Sequence, residues 1–291
     1  MKFVLAAPLR RRLKGTNADD LVRGIRQHPA LSIASGGQLQ LKGGSDRLLG
    51  TIGPAGAAGI NLNRGWIRTG GGSDELVAIG GLNAYDSTLS TGKGSDTIIG
   101  EWDGIALNLR GSFLDTGSGD ELIVARRGTS RHRPWIGLYG SLGSVDTGKG
   151  DDRIVAYGRL AGIELDEGLL STGDGNDTVD VRHGGLATGY SQTPYISLHL
   201  GRGDDRFIGF AADPNPGDWT TQEPASVRGG RGVDILVLPP GSYQIQGDAV
   251  IGARNTLMAA GFAQLEALGG GSRPFADGLY QVDSSTITAL A

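Results

Sequence analysis

The sequence predicts an all-β chain: a right-handed parallel β-helix (β-solenoid) of about nine coils, closed by N- and C-terminal caps. Three observations predict it. Glycine makes up 52 of 291 residues, about 18%, where ~7% is usual. Nine acidic residues recur at long, near-regular spacing, and apolar residues hold fixed offsets on either side of each acid.

The acids are Asp20, Asp46, Asp74, Asp96, Glu121, Asp152, Asp177, Asp205 and Asp234, separated by 26, 28, 22, 25, 31, 25, 28 and 29 residues. Two positions before the acid, eight of nine residues are Gly, Ala18 being the exception; four before, seven are Gly, with Thr16 and Lys42 departing. Two after it, all nine are apolar, from Val22 to Leu236, and seven before it all nine are apolar again, from Leu13 to Val227. A glycine-rich chain could produce glycine columns by chance. Two flanking apolar columns are much harder to produce that way.

Each unit therefore reads as strand, Gly-x-Gly-x-Asp turn, strand, with a third strand in the variable half. Period-two alternation marks that third strand at Ile60/Leu62, Ile105/Leu107/Leu109, Ile163/Leu165 and Ile196/Leu198. A three-strand coil cannot bury its own apolar face, but stacked coils can, at ~4.8 Å per coil, giving a rod ~40 Å long. Parallel crossovers make the winding right-handed. Loops outside the coil absorb the length variation. The longest insertion holds Arg126 to Trp135, and a late one holds Asp213 to Trp219.

Open strand edges invite aggregation, so both ends need covers. Residues 1–12 read as an N-terminal cap strand, 13–239 as the solenoid and 240–291 as a C-terminal cap. The apolar run Phe3 to Leu9 is too short for a secretory leader. Within the C-terminal cap, Asn255–Leu268 fits an amphipathic helix ending at Gly269 and equally a strand pair turning at Gly261.

There is no cysteine, which excludes disulfides and thiolate zinc. Oxygen-ligand metals stay open. The net charge of −4 gives no electrostatic case for nucleic acid, and no segment has the length of a membrane span.

The turns Gly229-Gly-Arg-Gly-Val-Asp234-Ile-Leu236, Gly173-Asp-Gly-Asn-Asp177-Thr-Val179 and Thr91-Gly-Lys-Gly-Ser-Asp96-Thr-Ile98 resemble the nonapeptide repeat of RTX (hemolysin-type calcium-binding) proteins. The resemblance spans residues 13–237. Family β-rolls repeat the motif every nine residues; here it comes once per coil, which puts acidic turns on one edge of a three-sided helix. Thr replaces the first glycine in five coils (Thr69, Thr91, Thr116, Thr147, Thr172), Glu121 replaces one Asp, and the Thr16–Asp20 turn lacks its glycines. The resemblance implies several Ca2+ ions held between stacked turns, with the nine acids as ligands. It also implies export by type I secretion through an uncleaved C-terminal signal, and hence an extracellular or cell-surface location. The tail Asp283 to Ala291 is compatible with such a signal.

Physical chemistry supports the same expectation. Calcium takes six to eight oxygens in irregular geometry, which glycine carbonyls and carboxylates can supply. Like charges ~4.8 Å apart repel by ~1 kcal/mol per pair even in water, so the column wants counter-ions. A metal-free reading stays open, in which the aspartates simply bond turn N–H groups.

Other constellations are weaker. The Thr column could form half of an ice-binding face, but its neighbours at the turn tips, Lys93, Lys149 and Arg202 among them, are charged. The Arg126–Trp135 insertion could meet an acidic polysaccharide or cell-surface component, since Arg forks match carboxylates and Trp stacks on sugar rings. The four histidines show no cluster. The expected function is a calcium-stabilised, secreted solenoid with a structural, surface or adhesion role. The alternatives are a carbohydrate-active β-helix enzyme, lyase- or epimerase-like, and a metal-free scaffold. Converging Arg and acidic side chains beside a groove would favour the enzyme.

Overall fold

The fold is taken from a computed structural model, which describes residues 1–25, 29–51, 58–126, 135–188, 198–213 and 224–290. The chain is all-β, a parallel solenoid of about nine coils with three faces. The first face, with twelve strands, carries the strand after each acid; the second has seven strands; the third, with fourteen, carries the strand before each acid. One coil illustrates the path. Trp66–Gly71 runs along the third face, the Asp74 turn follows, Glu75–Ile79 forms the first face and Leu82–Tyr85 the second.

Both apolar columns are in register through all nine coils. Val22, Leu48, Leu76, Ile98, Ile123, Ile154, Val179, Phe207 and Leu236 pair in succession on the first face. Leu13 to Val227 do so on the third. Burial alternates along each strand, as in Glu75–Ile79, because successive side chains point to opposite sides of the wall. The inward ones join one continuous aliphatic core. A Leu-to-Ala change in that core costs ~2–5 kcal/mol.

The second face contains the expected strands at Ile60–Asn63, Ile105–Asn108 and Ala161–Leu165. On its outside Asn83 Nδ2 donates to Asn61 Oδ1 (2.8 Å) and Asn108 Nδ2 to Asn83 Oδ1 (2.9 Å). One expectation needs correction. Leu198 lies on the third face, in Leu198–Arg202, and the seventh coil's second-face strand is Leu186–Thr188. The Ile196/Leu198 alternation is read just before an acidic turn, where third-face periodicity looks the same. Ile196 itself lies outside the described residues, as do most of the 126–135 and 213–219 insertions.

At the N-terminal end Lys2–Leu5 pairs in parallel with Leu21–Gly24. At the other end two more parallel strands stack on the ninth coil, Thr256–Ala260 on the third face and Gln264–Ala267 on the first. They turn at Gly261, whose φ is +81°. The strand pair wins over the helix because its side chains alternate in burial every second residue. Beyond it, pairing becomes antiparallel, through Gly241–Gln246 with Gly278–Val282 and Gly278–Val282 with Ile287–Leu290. Among the described residues no helix is long and apolar enough to cross a membrane.

Candidate functional site: the acidic column and a groove by the cap

All nine acids lie one above another and are at most 3% exposed. They sit inside the wall rather than on its rim. The backbone N–H of each acid donates to Oδ1 of the acid one coil later: Asp20 to Asp46 (2.7 Å), Asp46 to Asp74 (2.7 Å), Asp74 to Asp96 (2.8 Å), Glu121 to Asp152 (2.9 Å), Asp152 to Asp177 (2.8 Å), Asp177 to Asp205 (2.8 Å) and Asp205 to Asp234 (3.1 Å). The rung from Asp96 to Glu121 is missing from the series. A glutamate is one methylene longer, and both its carboxyl oxygens are buried without a hydrogen-bond partner.

A second rail runs outside the first. Residues just before the acids accept from the following coil: Ser45 N–H donates to Asp19 Oδ1 (2.8 Å), Asp151 N–H to Asp120 Oδ1 (3.0 Å), Asn176 N–H to Asp151 Oδ1 (2.8 Å), Asp204 N–H to Asn176 Oδ1 (2.9 Å) and Val233 N–H to Asp204 Oδ1 (2.8 Å). The inner rail passes its N–H groups forward along the stack, and the outer rail passes them back.

The five threonines are fully inside, at 0–1% exposure, so they cannot form an ice-binding face. Each hydroxyl donates to a carbonyl of the next coil: Thr69 to Thr91 (3.0 Å), Thr91 to Thr116 (3.2 Å), Thr116 to Thr147 (3.2 Å), Thr147 to Thr172 (3.0 Å) and Thr172 to Leu200 (2.5 Å). Thr69, Thr91, Thr147 and Thr172 also lie beside the carboxyls of their own turns. A hydroxyl has one proton, and here it is spent on the carbonyl. The second carboxylate oxygen, Oδ2, of Asp46, Asp74, Asp96, Asp152, Asp177, Asp205 and Asp234 is buried and receives no donor.

The electrostatics follow from this burial. Desolvation, with neighbouring carboxylates adding to it, pushes Asp46 and Asp205 up to about 7. Desolvation, partly offset by hydrogen bonds, takes Asp96 and Asp177 to about 6. Desolvation and the Asp152 carboxyl push Glu121 to about 10. Asp20 goes the other way. Burial opposes its charge, but the N-terminal ammonium at 2.7 Å and Thr16 hold it below its ordinary value. Among the described residues no other acid of the column has a cationic partner.

These residues fit a calcium-type ion in their donor chemistry. Each coil from Asp46 onward, the Glu121 coil included, carries a buried carboxyl oxygen with no donor, and the glycine turns stack closely from coil to coil. The carbonyl of Gly119 lies so close to Gly150 that a Cβ there would sit 1.7 Å from it, and Gly175 stands in the same way over Gly150. Among the described residues no three His, Asp or Glu side chains converge. An ion here would take carboxylates from two adjacent coils and fill its shell with carbonyls. Other turn carbonyls are already engaged, Ser118 N–H donating to Gly92 O (3.0 Å) and Gly94 N–H to Ser118 O (2.7 Å).

A groove of about 540 Å3 opens at the coil corners beside the second face, where its last strand, Leu186–Thr188, is followed by a single parallel bridge from Leu186 to Ala211. Its walls are the corners of the sixth to eighth coils and the cap segment around Tyr243 and Asn255. Asn255 Nδ2 donates to the carbonyls of Ala211 (2.9 Å) and Ala212 (2.8 Å), fixing cap to coil. Arg159, Arg182 and Arg254 line it. Beside it Tyr157 stacks on His183, with ring centroids 5.1 Å apart. His28 and His132 lie outside the described residues. No family model matches the chain, nor does any curated protein or solved structure.

Proposed function

We propose that the chain is a calcium-stiffened structural solenoid acting as a surface, matrix or adhesion element outside the cell. One observation carries this reading: eight carboxyls, Asp46 to Asp234, are stacked inside the wall with no cationic side chain on any of them among the described residues, and seven aspartates hold an unpaired oxygen. Burying unpaired charge is costly, and an isolated row of such groups must be neutralised. Calcium between adjacent turns would neutralise two carboxylates at once and use oxygens that hydrogen bonding leaves free. The turn's resemblance to RTX repeats supports the same ion and an extracellular setting, with export through a C-terminal signal.

The metal-free scaffold is the second reading, favoured by the Oδ1 rungs, which tie coil to coil without an ion. The two separate at neutral pH. Because an ion that binds only the folded state raises its stability, melting should rise by many degrees between chelator and millimolar calcium, magnesium being much weaker. Identical melting curves and far-ultraviolet circular dichroism in chelator and calcium would remove the calcium reading and leave the scaffold.

A further inference from the structure

The groove beside the C-terminal cap has a chemistry that the acidic column does not explain. Three guanidinium groups line it, Arg159, Arg182 and Arg254, against one lining carboxylate, Asp213. Arg182 is held by Asp180, with Nε 2.9 Å from Oδ1 and Nη2 2.7 Å from Oδ2. Arg254 meets Asp213 only at 3.8 Å, both side chains being about three-quarters exposed. Arg159 lies over the Trp135 ring, 5.5 Å from its centroid, and has no carboxylate among the described residues. In a chain of net charge −4, three arginines against Asp180 and Asp213 leave this groove locally positive by one charge.

The rest of the lining is of two kinds. Leu160, Val181, Phe210 and Tyr243 give an apolar wall, Phe210 and Tyr243 meeting edge to face at 5.1 Å. Gly158, Gly184, Gly185, Gly241 and Gly252 complete the lining, the N–H groups of Gly158, Gly185 and Gly252 donating to the carbonyls of His183, Val181 and Asn255. Arg forks match carboxylates, and aromatic or aliphatic walls take the C–H face of a ring. The volume lies in the range of small-molecule sites, ~300–1,000 Å3. Trp135, Arg159, Arg182 and Phe210 come from four successive coils, so the track extends along the rod by ~14 Å, three strand spacings.

We infer that this groove is a binding site for a sugar acid, a ring bearing hydroxyls and a carboxylate, either free or at the end of an acidic polysaccharide. The inference is independent of calcium in the turns. It assigns binding, with Arg159 and Arg254 as the carboxylate contacts and Arg182 as a fixed charge at the centre.

The test is calorimetric titration of the full chain with galacturonic acid, its linear trimer and neutral galactose, in a buffer where circular dichroism shows the solenoid intact. Saturable binding of an acid form and none of galactose is expected. Arg159→Gln and Arg254→Gln should each weaken it about tenfold, the worth of one charge-assisted contact, while Arg64→Gln, outside the groove, leaves it unchanged. Equal affinity for monomer and trimer identifies a free sugar acid, and tighter trimer binding identifies a polymer end. Absence of saturable binding by both acids overturns the site. So does binding that survives R159Q/R254Q with circular dichroism unchanged, or displacement of the uronate by an equal concentration of inorganic phosphate.

Discussion

The backbone N–H of Asp177 donates to Asp205 Oδ1 at 2.8 Å, although the two stand 28 positions apart in the chain. That one bond joins two coils, occupies one oxygen of a buried carboxyl and leaves the other without a donor. The same relationship repeats along the column, and the following predictions derive from it.

Asp177 accepts from Asp152 through Oδ1. Asp177→Asn keeps that acceptor, removes a charge and offers a donor toward Thr172. Its melting temperature in chelator should match or exceed that of the parent, while the rise on adding calcium shrinks. Asp177→Ala strands the buried Asp152 N–H and should cost about 1–3 kcal/mol, read from denaturant unfolding in chelator. Equal losses in both variants would show that the hydrogen bond is not what matters.

Glu121→Asp should close the missing rung from Asp96. The gain expected is about 0.5–1.5 kcal/mol, the net value of one hydrogen bond, and calorimetric melting would report it. A lower melting point would mean that the longer side chain is needed where it stands.

Turn glycines should differ sharply according to their neighbours. Gly150 has φ +124° and would place a Cβ 1.7 Å from Gly119 O, whereas Gly36, at φ +77°, has nothing within 4 Å. Gly36→Ala therefore costs only backbone strain, about 1–2 kcal/mol. Gly150→Ala must also push two coils apart and is expected to lose more than twice that. Chemical denaturation of the two variants measures the contrast directly.

In chelator, stability should fall as pH rises. Unfolded aspartates titrate near 3.8, whereas burial holds Asp46 and Asp205 near 7 and Asp96 and Asp177 near 6. Below pH 3.8 both states are protonated and the full contribution is present. Between about 4 and 7 the unfolded state gives up protons that the folded state keeps, so unfolding gains. For these four aspartates the loss is complete above about 7; Glu121, held near 10, carries it further, and calcium should reverse it. Melting temperatures at pH 5 and 8, each with chelator and with calcium, give the four values needed. A rise from pH 5 to 8 in chelator would contradict the buried, uncompensated column.

The repeat itself was legible because two apolar columns bracket each acid. Val22 to Leu236 and Leu13 to Val227 pair in the order their offsets imply. The alignment of the carboxylates followed from the same spacing. Their depth did not, since a Gly-x-Gly-x-Asp turn reads as an exposed edge, while the coils close over it and bury Asp46, Asp177, Asp205 and Asp234 to 0%. The outer rail has a signal in the sequence, short Asp, Ser or Asn side chains at Asp19, Ser45, Ser95, Asp120, Asp151, Asn176 and Asp204, but those residue types are equally ordinary in any exposed turn. The groove had none. Its residues run from Gly158 to Asn255 and are brought together by stacked coil corners and by a cap segment that Asn255 ties to Ala211 and Ala212.

From Glu121 to Asp234 the opposed rails make successive windings equivalent in what they offer upward and downward. A whole winding, such as residues 147–171, could therefore be duplicated or excised without creating a new kind of junction, each change altering the rod by one ~4.8 Å step. Length becomes a quantity that gene duplication can adjust in fixed increments, while both terminal covers are kept as they are.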